Sequence, residues 1–153
     1  MPSSTLIDFS DLGSAATIPI PSNYQNFHWL GYDLQEEFTG IPLANLDSVF
    51  TTPPARVIHG AGFQMTADTP FDLNDLSIAP HSGLGQLDIT IKASRTTNVG
   101  LEVVASFVIR TSPQSSPDTA VISNLTVKNI SQLQIFSNSM ETFDVGRISI
   151  TRS

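Results

Sequence analysis

The sequence predicts an all-β protein, an antiparallel two-sheet jelly-roll sandwich of about eight to ten strands. Three observations carry that expectation. Ten prolines and nine glycines cut the chain into short pieces that leave little room for long helices. Between those breakers, apolar and polar residues alternate with period two, which sets one group of side chains on each face of a strand. No heptad, internal repeat or long charge run interrupts the pattern. At 153 residues the chain has the length of a single domain, 1–153, with a core of its own.

Taken in order, residues 5–9 form the first strand candidate. The segment 5–56 as a whole is loop-rich, because Pro19, Pro21, Pro42, Pro53 and Pro54 break any long element. It nevertheless holds both tyrosines, the only tryptophan and four of the nine phenylalanines. Disordered segments are poor in aromatics. The segment therefore either plugs one end of the sandwich core or offers a binding surface.

Regular strands fill 57–152. Residues 71–78 alternate with a slip between Leu73 and Leu76. Residues 86–93 send Leu87, Ile89, Ile91 and Ala93 inward. Ser94, Arg95, Thr96 and Thr97 then fit a hairpin connection to residues 98–110, where Val99, Leu101, Val103, Ala105, Phe107 and Ile109 share a face. Residues 121–128, a short apolar run at 133–137 and residues 142–152 complete the set. The last strand changes phase at Gly146, the mark of a β-bulge. The expected core is Phe9, Phe63, Met65, Phe71, Leu73, Ile89, Ile91, Leu101, Val103, Phe107, Leu125, Val127, Ile135, Phe143, Ile148 and Ile150.

Composition excludes several functions. Seven basic residues face fourteen acidic ones, for a formal charge of −7. Nucleic-acid binders need clustered Lys and Arg, so this balance argues against one. No apolar run approaches the roughly 20 residues of a membrane-spanning helix. Cysteine is absent, which removes disulfides, zinc–thiolate sites and thiol nucleophiles. No basic and apolar leader precedes the first strand. The scarcity of lysine (Lys92 and Lys128) with abundant Ser and Thr on strands favours a secreted β-protein already in mature form. Two glycosylation sequons, at Asn124 and Asn129, add little weight.

Four pieces of sequence carry a resemblance. The chain opens with Ile7-Asp8-Phe9-Ser10-Asp11-Leu12. It continues with Ile20-Pro21-Ser22-Asn23-Tyr24-Gln25-Asn26-Phe27-His28-Trp29, then Thr69-Pro70-Phe71-Asp72-Leu73, and closes with Phe143-Asp144-Val145-Gly146-Arg147-Ile148-Ser149-Ile150. In order and spacing these pieces resemble a family of secreted β-jelly-roll proteins from fungi and from bacteria with PEP-CTERM sorting tails. That family is similar to galactose-binding-domain-like carbohydrate-binding modules. The resemblance spans residues 7–150 and implies a fold more firmly than an activity. The sequence departs from the pattern at three points: Ser10 replaces an acid, Asn26 replaces a glycine, and Gly146 stands where an acid is usual.

The candidate ligand-binding residues are Tyr24, Asn26, His28, Trp29, Tyr32 and Asp33. Sugars present C–H faces that stack on aromatic rings and hydroxyls that need planar polar partners, and this cluster contains both. The opposing reading places Phe27 and Trp29, two residues apart, in the core. Asp8, Asp11 and Asp144 are the candidate metal ligands. They supply three carboxylates toward the about six to eight oxygens of a calcium ion if the first and last strands are neighbours. Asp72 and Asp75 fit a turn better than a calcium loop. His28, His59 and His81 lack metal-ligand spacing. Catalytic acids are weakly marked: Glu36 and Glu37 are adjacent and in an extended segment point apart, while Glu102 and Asp88 form an outward pair without a motif. No nucleophile elbow or phosphate loop is present.

The expected function is that of a non-catalytic, secreted carbohydrate-binding or cell-wall-associated module. Its partner is a polysaccharide held by ring stacking and amide hydrogen bonds, with structural calcium as the one cofactor considered. Two alternatives stay open: an adhesive surface protein with a protein–protein interface, and a small polysaccharide hydrolase or lyase.

Overall fold

The computed structural model describes residues 3–7, 17–32, 38–40, 43–47, 55–60, 62–80, 88–110, 120–121, 127–137 and 143–152. Within these ranges the side chains of Tyr32, His59, Phe107 and Asp144, among others, fall outside the description. Phe9 and Leu125 of the expected core fall outside the described residues altogether.

The described residues contain thirteen strands. They are β1 (Ser3–Ile7), β2 (Thr17–Pro19), β3 (Asn23–Tyr24), β4 (Phe27–Tyr32), β5 (Phe38–Gly40), β6 (Leu43–Asp47), β7 (Ala55–Gly60), β8 (Gly62–Pro80), β9 (Asp88–Thr97), β10 (Gly100–Arg110), β11 (Ala120–Val121), β12 (Val127–Ser137) and β13 (Phe143–Arg152). Every pairing among them is antiparallel. The fold is an all-β two-sheet sandwich. The segment expected to be loop-rich, 5–56, instead holds short strands, β2 to β6, of two to six residues each.

The 19-residue β8 joins the two layers. Its first part pairs with β4 at Phe63–Thr66 and with β12. Its second part pairs with β13 from Phe71 to Pro80. Between them, Ala67, Asp68, Thr69 and Pro70 face a single step of β12 between Ile130 and Gln132. That large bulge lets one strand pass from sheet I (β10-β9-β12-β8-β4) to sheet II (β8-β13-β7-β6-β2).

Both phase slips expected from the sequence are present. Val145 and Arg147 of β13 face consecutive residues Ile78 and Ser77, which leaves Gly146 as the bulged residue. Asn74 is the extra residue of β8 between Leu73 and Asp75, and its Nδ2 donates to Thr151 Oγ1 at 2.8 Å. Removing that residue from the ladder restores the inward phase, so Leu73 and Leu76 are both buried.

Three local expectations change. The hairpin linking β9 and β10 turns at Asn98 and Val99, not at Ser94–Thr97, with Gly100 at a φ of 125°. Thr97 Oγ1 ties the turn by donating to the Gly100 carbonyl and accepting from the Val99 N–H. The short run 133–137 belongs to the 11-residue β12, whose alternation is broken at Asn129 by a φ of 60°. Asp72 Oδ1 accepts from the Asn129 N–H at 2.8 Å and holds that kink.

The third change concerns the core. Leu101 and Val103 are solvent-exposed, at 55% and 52%, and so leave the core list. The register with β9 slips between Val103 and Ala105. Beyond the slip Ala105 pairs with buried Ala93, whereas Val103 pairs with Ser94 on the opposite face. The bulge at Val104 thus inverts the first part of β10. Ile89, Ile91, Phe63, Met65, Phe71, Leu73, Ile135, Phe143, Ile148 and Ile150 are buried as expected, joined by Ile7, Leu76, Ile130, Leu133 and Val145, while Val127 packs against the core half-buried.

Candidate functional site

The aromatic cluster is built on the β3–β4 hairpin. Its two central residues, Gln25 and Asn26, have φ of 56° and 63°. Both being positive marks a type I′ turn, which favours Asn-Gly. The Gln25 and Asn26 side chains carry a left-handed strain that Asn-Gly would relieve. Gln25→Asn combined with Asn26→Gly is therefore expected to raise stability by about 1 kcal/mol, read as a higher urea midpoint.

The hairpin sends alternate residues into the sandwich. Phe27 and Trp29 are buried, and so is Tyr24, at 8% exposure. Trp29 Nε1 donates to the Tyr24 carbonyl at 2.8 Å, which satisfies the indole inside the core. The rings form a chain: Tyr24 to Trp29 at 6.2 Å, Trp29 to Phe63 at 5.9 Å, Phe27 to Trp29 at 6.1 Å and Phe27 to Phe71 at 5.0 Å. From β13, the Arg152 guanidinium sits 4.8 Å over the Phe27 ring and donates to the Gln25 carbonyl.

This corrects the expected stacking platform. Tyr24 and Trp29 present no free ring face to a ligand, because period two on β4 points Trp29 inward with Phe27. Asn26 stays exposed at the turn, and His28 is exposed on the outer face of β4. Tyr32 lies on β4 with its backbone opposite Phe38, but its side chain lies outside the description. Asp33, Glu36, Glu37 and His81 lie outside the described residues.

The alternation that buries the rings builds a polar surface on the other side of sheet I. In one row across the strands, Ser106 of β10 pairs with Lys92 of β9, then with Gln134, Gln64 and Leu30. In the next row Ser94, Gln132, Thr66 and His28 follow one another. Gln134 Nε2 donates to Gln64 Oε1 at 2.8 Å, across 70 residues of sequence. Gln64 Nε2 makes a longer contact, 3.5 Å, to Thr66 Oγ1. Half-buried Phe136 and partly exposed Leu30 flank this amide pair. At the margin, His28 Nε2 lies 3.7 Å from Asp68 Oδ1, both well exposed. Sequence reasoning missed Gln64 and Gln134; their only signal is outward phase on two strands.

Gly62 sets how closely β8 and β12 approach at the end of this face. A Cβ there would lie 2.7 Å from the Ile135 carbonyl oxygen and 2.7 Å from Phe136 Cβ. The glycine is required by contact with its neighbour strand rather than by its own dihedrals.

The candidate metal and catalytic carboxylates are less well served. β1 does pair with β13, Ile7 opposite Ile148, so the first and last strands are neighbours. Asp8 and Asp11 lie outside the described residues, as does the side chain of Asp144. Among the described residues no group of three or more His, Asp or Glu is close enough to hold a metal. Glu102 and Asp88 do not form a catalytic pair. They face Arg95 and Arg110 in the register of β9 and β10, about 24 Å apart along the strands at about 3.4 Å per residue. A glycosidase pair needs roughly 5 to 9.5 Å.

No protein-family model matches the chain, and no curated protein matches it. Solved structures do. A family two carbohydrate esterase from Cellvibrio japonicus aligns over 100% of this chain and 35% of its own, with 10% identity and a TM-score of 0.46. The CBM22-1–GH10 modules of a Clostridium thermocellum endo-1,4-beta-D-xylanase, complexed with xylohexaose, align over 84% of this chain and 26% of theirs, with 16% identity and a TM-score of 0.45. An F5/8 type C domain from Bacteroides fragilis aligns over 61% of this chain and 64% of its own, with 14% identity and a TM-score of 0.38. The chain thus spans about a third and a quarter of the first two. The assignment of fold rests on the strand register described above.

Proposed function

We propose that the outer face of sheet I binds an uncharged polysaccharide. The observation that carries this is the Gln134–Gln64 amide pair at its centre. A glutamine amide offers two donors and an acceptor oxygen with two lone pairs. Their mutual hydrogen bond uses one donor of Gln134 and one lone pair of Gln64, and it fixes both planes. Side chains held this way lose less freedom on binding. Thr66 and Thr90 add hydroxyls, and Phe136 and Leu30 supply apolar contact for sugar C–H faces. Five strands at about 4.8 Å spacing give a track about 19 Å long, the reach of about four pyranose rings.

Lys92 is the single charge in the central row, so affinity should change little between low and high salt. The test is pull-down on a panel of insoluble and soluble polysaccharides. Gln64→Ala and Gln134→Ala are each expected to weaken retention at least tenfold with circular dichroism unchanged. Retention on no polysaccharide, or equal retention by the variants, overturns the reading. An extracellular setting, which the low lysine content favours, is part of this proposal. Calcium at Asp8, Asp11 and Asp144 is a separate proposal, supported by the β1–β13 pairing. A thermal midpoint unchanged between excess chelator and millimolar calcium would refute it.

A further inference from the structure

The amide pair on the outer face of sheet I has a direction. Gln134 Nε2 donates to Gln64 Oε1, while Gln64 Nε2 turns toward Thr66 Oγ1. The two amides share one hydrogen bond and do not close into a mutual pair. A primary amide has two N–H donors and an oxygen with two lone pairs. Gln134 uses one donor on Gln64, so its carbonyl oxygen and its second N–H bond to no described residue. Gln132, in the next row, carries a third amide on this face, but no described side chain holds its plane. Gln134 thus combines a held plane with an open acceptor and an open donor.

We propose that this amide pair reads two adjacent hydroxyls of a pyranose ring, so that the ligand is a polysaccharide whose linkages leave a vicinal diol free on each residue. The proposal rests on the outer face being the binding surface. One hydroxyl donates to Gln134 Oε1, and its neighbour accepts from the N–H that Gln134 has left. Thr66 acts as a positioning residue, because its Oγ1 keeps the Gln64 nitrogen turned away and the Gln64 oxygen turned toward Gln134. Backbone linkage decides whether such a hydroxyl pair exists. In a 1,4-linked pyranose chain two neighbouring ring hydroxyls stay free on every residue. In a 1,3-linked chain the linkage oxygen stands between the remaining ring hydroxyls, so none are neighbours. A ring of that kind takes water from the Gln134 amide and returns at most one of its two hydrogen bonds. That unmet bond is what separates the two linkages.

The test is retention of the unaltered chain on β-1,4-glucan, β-1,4-mannan and β-1,4-xylan against β-1,3-glucan and β-1,3-xylan. At least one 1,4-linked polymer should retain the protein at least tenfold better than either 1,3-linked one. Periodate cleaves vicinal diols, and borohydride then reduces the aldehydes that would otherwise trap lysine. That treatment should abolish retention on the preferred polymer. Gln134→Met, which keeps the side chain's length without its amide, should lower retention on the preferred polymer to the 1,3-linked level with circular dichroism unchanged. Equal or stronger retention on the 1,3-linked polymers would overturn the proposal, as would retention that survives periodate. Both of those arms use the unaltered chain, so they decide even if Gln134→Met fails to fold. Retention without linkage preference removes the diol alone; retention on no polysaccharide removes the binding face itself, and this proposal with it.

Discussion

Trp29→Ala is expected to lower stability by about 3 to 5 kcal/mol, the usual loss for a large aromatic removed from a packed core. Trp29 is 2% exposed and touches Tyr24, Phe27 and Phe63 through ring contacts. The loss has two parts. Deleting the indole removes buried apolar area and leaves a cavity on the inner face of sheet I, beside Tyr24, Phe27 and Phe63. It also removes the donor that meets the Tyr24 carbonyl, leaving a buried acceptor without that bond. Urea unfolding followed by far-ultraviolet circular dichroism measures the change. A loss below about 1 kcal/mol would show instead that the ring is peripheral, as a stacking platform would be.

Gly62→Ala is expected to destabilise by about 1 to 3 kcal/mol through overpacking. The added methyl would meet the Ile135 carbonyl and the Phe136 Cα and Cβ, all within 3 Å. These are backbone and near-backbone atoms that cannot rotate away, so β8 and β12 must separate locally. Gln134 stands two residues from Phe136 on the same face of β12, and Gln64 two residues from Gly62 on β8. The separation should lengthen the 2.8 Å amide bond and weaken polysaccharide retention, although no ligand-facing group has been altered. Stability and retention measured on the same preparation check both halves.

The fold was legible where a break in alternation has a visible cause. The slips at Gly146 and between Leu73 and Leu76 disturb period two in the sequence itself, and both are bulges in the structure. The inversion of β10 was hidden. Val99 to Ile109 alternates without a gap, and Val103 and Val104 are identical, so only the register with β9 shows that the strand changes face. The aromatic motif posed a different difficulty. Tyr24, Phe27 and Trp29, with Ile20 before them, can be read from the string as a core plug or, at the aromatic positions, as a platform. Burial of all four shows that the motif is a hairpin wedge, with Gln25 and Asn26 taking the left-handed turn where a glycine is expected. The amide pair was the least legible. Gln64 and Gln134 occupy ordinary outward positions, and only the β8–β12 register brings them together.

On the proposed reading, sheet I carries its ligand on the amide face, with the aromatic rings in the core. Nitrogen–proton correlation spectra during titration with a soluble oligosaccharide from the best-retained polysaccharide test it most directly. The side-chain amides of Gln64 and Gln134 and the backbone of Lys92 and Thr66 should shift with a common dissociation constant, while the Trp29 indole stays in place. Shifts centred on Trp29 and Tyr24 with the two glutamines unmoved would contradict it.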